Sequence, residues 1–133
     1  DFLVFCRLTP VQETIYKKIC TITQEKTSGE KSALASIGYL KKLCNYPSLV
    51  YPQYKVQPLV LIDNFQEALR ETGCSPNDID PTLSGKLLFL DKLLEWIKKE
   101  TEDKIVVVSN YTETLDVISR LCHDRKYGYI QLV

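Results

Sequence analysis

The 133-residue sequence lacks an excess of either charge, its 17 Lys and Arg being matched by 17 Asp and Glu. A small module that holds nucleic acid unaided needs surplus cations to neutralise phosphates, so that class is disfavoured. A piece of a larger nucleic-acid machine, with its basic groove elsewhere, stays open. No run approaches the roughly 18 apolar residues of a membrane span. Asp1–Leu8 also lacks the order of a signal peptide, since Arg7 follows its apolar run and no small-residue cleavage site comes after. The five cysteines, at 6, 20, 44, 74 and 122, are odd in number and scattered, with no pair at zinc-knuckle spacing. The single histidine, His123, adjoins Cys122, and neighbours on a helix diverge by about 100°. No metal ligand is therefore expected. The composition predicts a soluble intracellular protein with reduced thiols and no membrane partner.

Catalytic chemistry is missing in the same way. No Gly-x4-Gly-Lys-Ser/Thr loop is present to cradle nucleotide phosphates, although Ser84-Gly85-Lys86 is like its tail. No acidic pair follows an apolar strand to hold magnesium, and Gly-x-Ser-x-Gly is absent. No catalytic residue is assigned.

What remains is a globular pattern, 44% hydrophobic and 26% charged. Phe2–Leu8 is apolar and β-favouring, so it predicts a buried strand. Thr9-Pro10 starts a helix, with Gln12 completing a Thr-x-x-Gln capping box and Val11, Ile15, Ile19 and Ile22 forming its stripe. Gln24–Lys31 reads as a loop. Ser32 is the expected cap of a second helix, whose stripe is Leu34, Ile37, Leu40, Leu43 and Cys44. That helix is expected to end at Asn45, because Tyr46 precedes Pro47. An irregular segment rich in Tyr and Pro follows, then a short helix at Leu59–Glu71 and a linker at Cys74–Ser84. Ser84 precedes an amphipathic helix carrying Leu87, Leu90, Leu94 and Ile97, with Trp96 alongside. Ile105–Val108 has the β-branched run of a central parallel strand. Thr112 is the expected cap of a helix with Leu115, Ile118, Leu121 and Cys122, and Tyr127–Val133 is β-prone. Strand, helix and strand within about 30 residues predict a right-handed βαβ unit.

Ser109-Asn110-Tyr111-Thr112 lies where that buried strand ends and a helix begins. Ligands of open α/β sheets bind at such carboxyl ends, and free N–H groups with hydroxyl and amide side chains suit a phosphate. The same residues equally serve as a helix cap and a strand end. Lys41-Lys42, Lys98-Lys99 and the group Arg120, Arg125 and Lys126 read as solvated faces near helix ends.

Two segments resemble a known family. Leu40-Lys41-Lys42-Leu43-Cys44-Asn45-Tyr46-Pro47 is similar to the Leu-(Lys/Arg)-Lys-x-Cys-Asn-His-Pro signature of the SWI/SNF-type, helicase-like DNA-dependent ATPases of superfamily two. Ser84–Leu87 and Lys104–Asp116 resemble the opening of that family's second RecA-like lobe, and Phe5–Arg7 with Leu8-Thr9-Pro10-x-Gln12 the segment leaving the first. The Val-Ser-Asn-Tyr-Thr-x-Thr-Leu form is similar to the branch of recombination translocases that includes Rad fifty-four and its B-type paralogue. Tyr46 stands where the family usually has His. The family pattern also continues through Leu-Asp-Gly where this chain has Leu132-Val133.

The resemblance implies an α/β class, a helical inter-lobe segment followed by the first βαβ of a RecA-like, P-loop-type lobe. Residues 1–8 would be the last strand leaving the first lobe, 9–73 a helical connecting region, 74–83 a linker and 84–133 the start of the second lobe. The parent would use ATP and magnesium to translocate on double-stranded DNA, remodelling the recombinase filament and nucleosomes in the nucleus during homologous recombination. The rest of both ATPase lobes would be its structural partners. Ser109, Asn110, Tyr111 and Thr112 would face DNA, and Leu43, Cys44, Asn45, Tyr46 and Pro47 would form the inter-lobe signature. Residues 1–133 alone are expected to bind no cofactor and to be inactive, whether a piece of a longer chain or a divergent homologue that has lost catalysis. The alternative is a non-catalytic protein-interaction module on a helicase-like scaffold.

Overall fold

A computed structural model describes residues 1–25, 30–50 and 79–132. Among these residues the architecture is helical. Helix α1 spans Pro10–Glu25, α2 Glu30–Asn45, α3 Gly85–Glu100 and α4 Thr112–Asp124, with single 3-10 turns at Pro47–Val50 and Pro81–Leu83.

The boundaries follow from local chemistry. Thr9 and Gln12 form the expected reciprocal box, Thr9 N donating to Gln12 Oε1 at 3.0 Å and Gln12 N to Thr9 Oγ1 at 3.3 Å. Ser84 caps α3, its Oγ accepting from Leu87 N at 3.1 Å. Helix α2 ends at Asn45, as the Tyr46-Pro47 pair requires. Its start differs from expectation, because Ser32 lies inside a helix that already begins at Glu30. At α4 the cap is Tyr111 rather than Thr112, and its side chain makes no capping bond. Helix α4 ends in a Schellman turn. There Tyr127 N donates to Cys122 O at 2.8 Å and Lys126 N to His123 O at 3.0 Å, with Lys126 left-handed at φ 59.

Two apolar clusters share one connecting segment. Ile15, Leu43 and Val50 form the first, between α1 and α2, with Val11, Tyr16, Ile19, Tyr39 and Leu40 around them. Tyr46, Leu49, Leu87, Val117 and Leu121 form the second, joining α3 and α4. Residues 43–50 thus supply both cores: Leu43 and Val50 turn one way, Tyr46 and Leu49 the other. Sequence periodicity placed Leu87, Leu94, Leu121 and Cys122 inside correctly, but missed Val117, which is 5% exposed. Leu59–Glu71, the Tyr-Pro stretch from Tyr51 to Pro58, and Cys74 lie outside the described residues.

The predicted βαβ unit is not seen among the described residues. No strand occurs among them, and of the predicted architecture they show the helical part. A strand exists only through lateral pairing, and residues 2–8, 105–108 and 127–132 form no ladder with any described residue. Their apolar side chains stand in solvent: Phe2 is 100% exposed, Val106 86% and Val108 85%. The segment was expected to be covered on both faces, but Val106 and Val108 are exposed while Val107 and Ser109 are half-buried.

Unpaired, apolar, β-prone segments invite edge-to-edge association. Purified residues 1–133 are expected to scatter light as oligomers, and Val106→Lys with Val108→Lys to shift them toward monomer. A wild-type monomer at high concentration would count against this account.

Candidate functional site

The carboxyl end of α2 is where the chain's polar groups converge. Pro47 has no N–H, so the carbonyl of Leu43, four residues earlier, has no helical donor. Each of the last four carbonyls of α2 nevertheless has a partner. Lys42 O accepts from Tyr46 N at 3.0 Å. Leu43 O and Cys44 O accept from Gln12 Nε2 at 2.9 and 3.3 Å. Asn45 O accepts from Ser84 Oγ at 2.7 Å.

Gln12 is wholly buried, and its amide is fully used. Besides those two donations, its Oε1 accepts from Thr9 N and, at 3.2 Å, from Gly85 N. It therefore joins the starts of α1 and α3 to the end of α2. Close approach makes glycine necessary at position 85, because a Cβ there would run into the Arg7 carbonyl oxygen. Thr9 Oγ1 adds a bond to Leu83 O at 2.8 Å.

Each predicted residue of the inter-lobe signature can now be placed. Leu43, Tyr46 and Pro47 are buried, while Cys44 and Asn45 are half-buried. Tyr46 is fully enclosed, and its hydroxyl accepts from Asp80 N at 3.0 Å, so this side chain does have a polar role. Asn45 bridges two helices: Oδ1 accepts from Lys86 Nζ at 3.1 Å and Nδ2 donates to Thr114 Oγ1 at 3.2 Å.

The Ser109–Thr112 turn lies beside this junction. Ser109 Oγ accepts from Tyr111 N at 3.2 Å, closing the turn before α4. Asn110 and Thr112 are exposed, Ser109 and Tyr111 half-buried. The structure connects the two predicted groups through Lys42, which sequence reasoning had left on a solvated face. That expectation is corrected: Lys42 is 8% exposed, its Nζ lies 2.9 Å from Glu113 Oε1 and 5.6 Å from the Tyr111 ring centroid. The signal available was position, since Lys42 occupies the last turn of α2 and Glu113 the first turn of α4, where each complements its own helix dipole. Lys42 holds the Glu113 carboxyl below its ordinary pKa, aided by the Glu113 backbone N–H.

A second pair binds α3 to the end of α4. Arg125 forks onto Asp91, with Nε–Oδ1 at 2.9 Å and Nη2–Oδ2 at 2.8 Å, and Asp91 is 5% exposed. Arg125 is thus an ion-pair partner rather than the free cation expected. His123 is exposed, and burial pushes the Cys122 thiol up, away from thiolate reactivity. Among the described residues no group of His, Cys, Asp and Glu could hold a metal. ATP does not fit Ser84-Gly85-Lys86. The Ser84 hydroxyl, the Gly85 N–H and the Lys86 ammonium already bond Asn45 O, Gln12 Oε1 and Asn45 Oδ1 respectively.

Gln12→Ala is expected to destabilise the protein by about 3 kcal/mol, because it strands two helix-end carbonyls and two N–H groups in a dry interior. The check is the midpoint of denaturant unfolding, with exposed Thr21→Ala as the control. Glu113 adds a pH dependence. With its pKa lowered in the fold, its share of stability is full above the ordinary carboxylate range and disappears as pH falls through the lowered value. Glu113→Gln should flatten the acid limb of a melting-temperature profile relative to wild type.

No family model matches the chain. Curated relatives do. The RAD54-like DNA repair and recombination protein of Gallus gallus is 42% identical over 137 residues, covering 98% of this chain and 18% of the relative. Its counterpart in Homo sapiens is 41% identical over 139 residues, with the same coverage of 98% and 18%. The DNA repair protein rhp54 of Schizosaccharomyces pombe is 38% identical over 144 residues, covering 99% of this chain and 16% of the relative. The chain thus spans less than a fifth of the length of these relatives. Across nearly all of its residues, this chain belongs to the RAD54-like family of DNA repair and recombination proteins.

Proposed function

We propose that this chain is the lobe-junction segment of an ATP-driven translocase on double-stranded DNA, acting in homologous recombination and repair in the nucleus. Residues 1–8 leave the first RecA-like lobe, 9–73 form a helical connection, 74–83 link it onward, and 84–133 open the second lobe. The observation that carries the reading is the agreement between motif and junction. The Leu43–Pro47 signature that resembles the SWI/SNF-type family is the segment that feeds both apolar cores and receives Gln12 and Ser84. The names of the relatives, DNA repair and recombination proteins, support the biological setting. Among the described residues, no helix is long and apolar enough to cross a membrane.

In this reading the segment does mechanical work. Nucleotide binding and hydrolysis belong to parts of the two lobes outside residues 1–133, and no step of that chemistry passes through the residues described. The Ser109–Thr112 turn faces the duplex, with Asn110 and Thr112 exposed for backbone phosphates. Residues 105–108 and 127–132 pair with strands from elsewhere in the second lobe, completing the βαβ unit. The recombinase filament and nucleosomes are the substrates that the moving duplex brings to the motor.

The test compares the full-length protein containing this segment with residues 1–133 alone. The former is expected to hydrolyse ATP with strong stimulation by duplex DNA, the latter not at all. Asn110→Ala with Thr112→Ala should weaken duplex affinity of the full-length protein several-fold, nearly alike on unrelated sequences. Unchanged affinity together with no DNA stimulation would instead favour the non-catalytic interaction module.

A further inference from the structure

Lys42 and Glu113 belong to different helices, yet they meet at the start of α4. The ammonium is 2.9 Å from the carboxylate, and the two side chains differ sharply in exposure, 10% for Lys42 against 53% for Glu113. Lys42 is thus too enclosed to present its charge to a ligand. Glu113 is half open to solvent and immediately follows the Ser109–Thr112 turn. A bare carboxylate at that place would repel a phosphate diester approaching Asn110 and Thr112, since like charges a few ångströms apart disfavour each other even beside water.

Resting on the reading of that turn as DNA-facing, we propose that Lys42 is a positioning residue that acts through Glu113. It neutralises the carboxylate from behind, so that a duplex phosphate meets a turn without net negative charge. Three features of the arrangement fit. The lysine approaches from the α2 side and is packed near the Tyr111 ring, 5.6 Å to its centroid, so its charge stays in place. Glu113 is kept ionised by Lys42 and by its own backbone N–H, so its charge persists and must be offset rather than titrated away. Asn45, three residues after Lys42, holds the next α4 residue through Thr114 Oγ1 at 3.2 Å, fixing the distance across the pair. The carboxylate is retained in this scheme because it stabilises the amino end of α4.

The experiment measures duplex affinity of the full-length protein by fluorescence anisotropy at low and physiological salt, with thermal unfolding of every variant. Lys42→Met, which exposes the carboxylate's charge, is expected to weaken binding about fivefold at low salt, the gap closing as salt rises. Glu113→Gln should bind as tightly as wild type or tighter, and Lys42→Arg should match wild type. The double variant Lys42→Met with Glu113→Gln should recover wild-type affinity. If the pair were merely a strut between helices, Glu113→Gln would weaken binding and the double variant would not recover, and either result overturns the proposal. Should Lys42→Met fail to fold, Glu113→Gln alone decides it. The turn is tested separately by Asn110→Ala with Thr112→Ala. Loss of affinity there without recovery in the double variant sinks only the masking role, whereas unchanged affinity there sinks both readings.

Discussion

One buried amide holds this molecule together. The side chain of Gln12 has two N–H groups and two lone-pair sites, and each has its own partner: two carbonyls at the end of α2, the first N–H before α1, and the first N–H of α3. The need arises from Pro47, which stops α2 and removes the donor that Leu43 O would otherwise have. A helix end in a dry interior must be satisfied by something, and the partners come from the starts of the two other helices. The result is a polar knot beside two apolar clusters. Burial makes the knot strong, because bonds there do not compete with water, and it makes partial loss expensive for the same reason.

The described residues form helices and no sheet. Helices satisfy their own backbones, so α1 to α4 form from local sequence and need only tertiary packing of one face. A strand has no such independence. Ile105–Val108 carries the side chains of a central strand, but it forms no ladder with any described residue. Val106 and Val108 are exposed as a consequence.

Local grammar was therefore legible, and long-range electrostatics was not. The Thr9–Gln12 box, the Ser84 cap and the stop at Asn45 could be read because each depends on residues within four positions of one another. The second roles of the same side chains could not. Nothing in the spacing says that Gln12 also reaches Leu43 O, or that Ser84 also reaches Asn45 O, 39 residues back. Lys42 shows the same limit: its place in the last turn of α2 suggested a solvated cation, and only packing against α4 turned it inward toward Glu113. Val117 escaped because the stripe was drawn through Leu115 and Ile118, while the helix rotates so that residues 117 and 121 point at Leu87. Of the candidate site, the sequence named two separate groups, and their meeting through Lys42 and Glu113 is a property of the fold.

That meeting constrains any account of motion. The segment read as a linker, residues 74–83, is described from Ile79 onward, and its described part is tied down. Tyr46 holds Asp80 N, Thr9 holds Leu83 O, and Asp80 caps the 3-10 turn through Thr82 N. Bending between residues 79 and 84 would break these bonds together with the Gln12 and Ser84 contacts, each buried polar group left alone costing on the order of 1–3 kcal/mol. The segment from 79 to 84 is therefore a poor place for a pivot. The start of α1, the end of α2 and the start of α3 are thus tied into one body, whereas residues 1–5 are exposed. Gly85 sharpens the point. Its close approach to the Arg7 carbonyl leaves no room for slip at the place where the chain entering α1 meets α3.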